Sequence, residues 1–95
     1  MKTIEQKNRM IAEFIGKEIY QYHHESFYHS SWDWLMPVVE KIENYNSGST
    51  LVIIEDERCH LDTQNNFEID SVGHTKIEAT YNAVVQFIEW YNENK

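Results

Sequence analysis

Cysteine, proline, glycine and basic side chains are all scarce in this 95-residue chain, and each scarcity excludes something. The single Cys59 cannot close an internal disulfide, so a disulfide-stapled secreted scaffold is excluded and a reducing cytoplasm is the expected compartment. No apolar run approaches the roughly 20 residues that a membrane helix needs, and no secretory leader is legible. The three glycines stand alone at expected element ends, which leaves no glycine-rich loop to cradle a phosphate. No serine sits on a G-x-S-x-G elbow. Eight Lys and Arg face sixteen Asp and Glu, for a net charge of −8. Clustered cations are what release counterions from a phosphate backbone, so direct nucleic-acid binding is not expected.

What is abundant is acid and aromatic surface. Residues 51–74 hold Glu55, Asp56, Glu57, Asp62, Glu68 and Asp70 against Arg58 alone, a net −5. Such a stretch either solvates a sheet edge against aggregation or meets a basic partner. Thirteen aromatics can each remove on the order of 150–250 Å² from water, enough to supply much of a modest core. A single domain is expected at this length.

The centre of the chain is residues 30–43, SSWDWLMPVVEKIE. Leu35, Val38, Val39 and Ile42 recur at i, i+3, i+4 and i+7, one face of a helix, with Glu40, Lys41 and Glu43 turned to water. Ser30 is a candidate cap, and Asp33 places a carboxylate in the first turn. Pro37 lies too deep for a first turn, so it either kinks this helix or starts it after a separate turn at 32–36. Before it, Thr3 and Gln6 form a capping-box signature for a helix whose stripe is Ile4, Ile11, Phe14 and Ile15, ended by Gly16. Residues 17–29 show no clean period and read as a loop with one extended piece near 19–22.

After the breaker NYNSGS, residues 50–54 give the strongest strand signal. Leu51, Val52, Ile53 and Ile54 point alternately to opposite faces, so both faces of that strand are expected to be covered. Residues 58–63 and 67–72 each alternate one apolar and one polar face, with turns at Glu55, Asp56 and Glu57 and at Gln64, Asn65 and Asn66. Together they predict a three-stranded antiparallel meander. Thr75 and Glu78 then open a closing helix carrying Ile77, Tyr81, Val84, Val85, Ile88 and Tyr91, while Ala79 and Ala83 permit close approach. Phe87 and Trp90 fall off that stripe, which predicts a helix wedged between layers or engaged in an oligomer contact. The fold class is therefore α+β, a small α-β-α sandwich of a three-stranded meander and about three helices.

The segments MIAEFIG, VVEKIE and TKIEATYNAVVQFIEWYN, in that order around a short antiparallel sheet, resemble the phage ABA-sandwich domain family of small bacteriophage and prophage proteins. The matching positions are Ile11, Ala12, Glu13 and Gly16, then residues 38–41, then residues 79–84. These lie on apolar stripes and helix ends. The resemblance thus implies fold, and it brings no catalytic residues with it.

Catalysis is not expected from the residues themselves. His23, His24, His29, Cys59 and His60 include metal-ligating types but lack the paired spacing that metal sites show, so neither a metal nor a cofactor is expected. Cys59 and His60 are strand neighbours that face opposite ways, and Cys59 reads as a core thiol. Three non-enzymatic roles remain: a protein-interaction module, a sequestering protein for a nucleotide signal, and a structural oligomer. For binding, the candidate residues are Phe27, Tyr28, Trp32 and Trp34 in the aromatic region and Glu55, Asp56 and Glu57 in the acidic hairpin. Trp32 and Trp34 project about 200° apart on a helix, so one of them is free for an interface.

Overall fold

The computed structural model describes residues 2–16, 27–63 and 67–94. The extended piece expected at 19–22, the turn at 64–66, and His23 and His24 lie outside the described residues. In order, the elements are α1 (Ile4–Phe14), α2 (Trp32–Glu43), a one-turn α3 (Tyr45–Gly48), β1 (Leu51–Ile54), β2 (Arg58–Asp62), β3 (Glu68–Val72) and α4 (Lys76–Asn94). The α+β class and the antiparallel meander, in the order β1-β2-β3, are as expected. The breaker at 44–49 holds a helical turn, α3, ending in Gly48 at φ +83°.

Local chemistry explains where each long helix starts. At α1 the capping box closes in both directions, Gln6 N–H donating to Thr3 Oγ1 and Thr3 N–H to Gln6 Oε1. Gly16, at φ +88°, follows the last turn in the left-handed conformation that glycine adopts without steric cost. The stripe itself is shifted from the expected one. Asn8, Met10, Ile11 and Ala12 are buried, and Ile4 is exposed because it lies in the first turn, beyond the reach of the core. Helix α4 starts at Thr75, whose hydroxyl accepts from Glu78 N–H at 3.1 Å, while Glu78 reaches back to His74 N–H at 2.8 Å. Gly73 makes this tight strand-to-helix junction possible, since a Cβ there would lie 2.6 Å from Ala79 N.

The expected stripe of α2 is buried in full: Leu35, Val38, Val39 and Ile42. The helix is capped by the backbone of Ser31, whose carbonyl accepts from Trp34 and Leu35 N–H, and it runs on through Pro37. Lys41 in its last turn donates to the Phe14 carbonyl at 2.6 Å and lies 4.9 Å from the Phe14 ring centre. That contact satisfies a terminal carbonyl of α1 and ties the two helices together.

Helix α4 is the wedge. It packs against β2 and β3 and also against α1 and α2, and buries Ala79, Thr80, Tyr81, Ala83, Val84, Val85, Phe87 and Ile88. Phe87, off the main stripe, has no exposed surface and meets Phe14, Tyr45 and Tyr91, while Trp90 stacks on Phe67 at 4.7 Å between ring centres. On the sheet's inner face Cys59, Leu61, Ile69 and Ser71 are buried and Val52 and Ile54 pack on the core. Each fully buried aliphatic or aromatic side chain here contributes roughly 1.5–3 kcal/mol.

The outer face of the sheet is different. No described helix covers it, and Leu51, Ile53 and Val72 remain 50%, 48% and 63% exposed. Cover for both faces of β1 was expected from its unbroken aliphatic run; that expectation is corrected. The strand lies at the sheet's edge, and the register pairs Leu51 with Asp62 and Ile53 with His60 on the polar face of β2.

Candidate functional site

The sheet's outer face is assembled by a two-residue hairpin. Glu55 N–H donates to the Arg58 carbonyl at 2.8 Å, which places Asp56 and Glu57 at the tip and sets the β1–β2 register from there inward. Directly opposed residues of antiparallel strands share a face. Leu51 and Ile53 therefore stand beside Arg58, His60 and Asp62 of β2, and these beside Val72, Asp70 and Glu68 of β3. Arg58 spends its charge on Asp70 at 3.4 Å, and Asp56 has Lys76 at 3.8 Å. The result is three exposed aliphatic side chains in a predominantly acidic surround that continues into the hairpin.

Glu55, Asp56 and Glu57 are exposed and line a shallow cleft with Arg58, Val72 and Gly73, so the acidic half of the expected site adjoins the outer face. The aromatic half lies elsewhere, at the start of α2. Phe27 is 45% exposed, Tyr28 is only 1% exposed, and Trp32 and Trp34 are half-buried against the core. The ring of Trp34 meets Tyr28 edge-on at 5.2 Å and Phe27 at 6.0 Å. Tyr28 thus belongs mainly to the core, and neither tryptophan stands fully free. The structure does not unite the aromatic and acidic sets in a single cleft: Tyr28 and Trp34 line one of about 310 Å³ with Ile15, Asp33 and Pro37.

Leu51, Ile53 and Val72 were not among the expected binding residues. The signal that could have found them was the register. A tight turn at Asp56–Glu57 places Ile53 opposite His60, and the polar face of β2 then identifies which half of LVII is uncovered.

Cys59 and His29 are each held by packing. Cys59 is fully buried; desolvation pushes its thiol up to about 11, opposed by a hydrogen bond with Thr80 and assisted by the negative charge of Asp70. A thiol held protonated in this way is a poor nucleophile at neutral pH. His29 Nδ1 lies 3.1 Å from Asn8 Nδ2, and Asn8 Oδ1 accepts from the Tyr81 hydroxyl at 2.9 Å, a polar link joining α1, α4 and the turn before α2. Among the described residues no group of three or more His, Cys, Asp or Glu side chains could hold a metal ion, and no helix is long and apolar enough to cross a membrane. No family model, curated protein or solved structure matches the chain.

Proposed function

We propose that the chain is a non-enzymatic protein-interaction module that receives a basic, amphipathic segment of a partner on the outer face of its sheet. The observation that carries this reading is the exposure of Leu51 and Ile53 on β1 and of Val72 on β3, on a sheet face that no described helix covers. Exposed aliphatic side chains set among polar groups on one sheet face are the kind of surface a partner contacts. The rim selects the occupant: Glu55, Asp56, Glu57 and Glu68 present negative charge, while Arg58 is engaged by Asp70. A cationic partner gains from that field, whereas a second copy of this chain would bring like charge against like. The acidic hairpin serves as the steering element of the same surface. Kinship with the phage ABA-sandwich proteins is part of the proposal and rests on the residues quoted above.

The test is a titration of the isotopically labelled chain with two synthetic strand peptides, one alternating Leu with Lys and the other Leu with Glu. The basic peptide is expected to shift the methyl resonances of Leu51, Ile53 and Val72 saturably, with affinity that falls as salt rises. Replacing Glu55, Asp56 and Glu57 by Lys should weaken it. Equal binding of both peptides, or methyl shifts confined to other residues, would defeat the reading. A stable dimer in native mass spectrometry, with these methyls buried, would transfer the surface to self-association.

A further inference from the structure

The sheet ends at β3, but the helices packed on its inner face extend further. Helix α4 lies against β2 and β3, and α1 packs on α4. Two open clefts of about 690 and 570 Å³ follow β3 on that side, the first bounded by Asp70, Ser71 and Val72 and the second by Phe67. They share Lys2, Gln86 and Glu89, so they form one groove between the last strand and α1, with Val85 and Met10 among its walls. Both volumes fall in the range of about 300–1,000 Å³ that ligand clefts have. The Lys2–Glu89 ion pair that lines both halves is 3.1 Å long, with its side chains 47% and 40% exposed. Exposed pairs contribute little stability, so this one can part to admit an occupant.

The strand beside the groove turns half of its main chain toward it. Gly73 N–H donates to the Glu57 carbonyl and Thr63 N–H to the Phe67 carbonyl, and the register between them pairs Cys59 with Ser71 and Leu61 with Ile69. Antiparallel ladders alternate, so Ile69 and Ser71 give their N–H and C=O groups to β2, while those of Glu68, Asp70 and Val72 point away from it. In the described sheet β3 has no second neighbour. The Val72 carbonyl accepts from Asn82 Nδ2 at 3.1 Å. Among the described residues, the N–H groups of Glu68, Asp70 and Val72 and the carbonyls of Glu68 and Asp70 have no hydrogen-bond partner. A row of this kind is complementary to the backbone of another strand.

We infer that an extended segment of a partner protein adds to the sheet as a fourth strand along β3, with Lys or Arg on its outer side and apolar side chains turned into the groove. Directly opposed residues share a face, so the outer side chains of the added strand stand beside Glu68 and Asp70. Its inner side chains cover Val85 and Met10. A second copy of this chain is a poor occupant, because pairing β3 with itself about Asp70 sets one carboxylate against its own copy. The argument rests on main-chain groups and a groove at the strand's edge, and it is independent of what the outer face receives.

The experiment is amide hydrogen exchange read by NMR, with an end-capped peptide alternating Lys with Val. In the chain alone, the amides of Ile69 and Ser71 are expected to exchange slowly and those of Glu68, Asp70 and Val72 fast. The peptide should slow the latter three by about tenfold or more. Two further peptides carry N-methyl groups, one on every Lys and one on every Val. Loss of about tenfold in affinity for the first is expected of antiparallel addition and for the second of parallel addition, since only amides facing β3 are needed. Val72→Pro deletes an outward N–H while sparing the bonds to β2 and every charge, and it should weaken binding relative to Val72→Ala, with melting curves confirming the fold. Equal binding of the two N-methylated peptides, or of a Glu–Val peptide and the Lys–Val one, overturns the inference. So does binding seen only at the methyls of Leu51 and Ile53, or slow exchange of the three amides in the chain alone.

Discussion

The thiol of Cys59 sits on the inner face of β2 against Thr80 of α4, where water does not reach it. Its pKa rises from 9.0 to about 11, because burial penalises the thiolate. The sign of the resulting pH dependence follows from proton counting. Below pH 9 both folded and unfolded chains keep the thiol proton, and the full stability is present. Between pH 9 and 11 the unfolded chain releases it first, so stability falls as pH rises, by about 2–3 kcal/mol for a shift of this size. Urea unfolding at pH 8 and pH 10.5 is expected to show most of that loss, and Cys59→Ala, although less stable at pH 8, should lose less over the same interval. An identical alkaline loss in the variant would mean that the thiol titrates normally. Iodoacetamide should modify the native protein only at the rate of its unfolding. The same packing places Tyr28 in the core, although its neighbours Phe27 and Trp34 keep part of their surface in water.

At the scale of elements, α4 is the member on which the others depend. It touches β2, β3, α1 and α2, and its start is set by three local bonds: Glu78 N–H to Thr75 Oγ1, Ala79 N–H to the Thr75 carbonyl, and His74 N–H to Glu78. Removing the hydroxyl in Thr75→Ala should cost about 1 kcal/mol, which in a domain of this size lowers Tm by roughly 4–8 °C. Scanning calorimetry checks it. An unchanged Tm would show that the backbone bond and the packing of Ala79 hold the helix start without the cap. Helix α2 shows the opposite balance. Ser31 makes no side-chain cap bond, and Pro37 removes an internal one. Its register is held by Leu35, Val38, Val39 and Ile42 against the core, so tertiary burial outweighs local propensity.

At the scale of the whole molecule, the described helices cover the sheet on one face only, and the two faces should respond differently to substitution. Leu51→Thr and Ile53→Thr replace half-exposed side chains by a good strand former, and each should change stability by no more than about 0.5 kcal/mol. Leu61→Ala on the inner face should cost about 2–5 kcal/mol. Chemical denaturation of the three variants tests the contrast, and outer-face losses as large as that of Leu61→Ala would mean that something covers the face in solution. Most of the architecture was legible beforehand because it follows from local rules. The capping pairs Thr3–Gln6 and Thr75–Glu78, the stop at Gly16, the buried stripe of α2 and the alternation of β2 and β3 each depend on residues a few positions apart. The candidate site was legible only in part. Glu55, Asp56 and Glu57 could be read as an exposed turn, but Leu51 and Ile53 read as core, because an aliphatic run carries no mark of which side lacks a neighbour. Likewise the depth of Tyr28 and the grouping of Trp34, Asp33 and Pro37 around one cleft depend on where the turn before α2 meets α1. The sequence by itself determined the elements, their order and their charge, since periodicity, capping and turn chemistry act over short separations. Only the tertiary structure decided which apolar side chains stay in water, because that depends on whether another layer of the same chain reaches them.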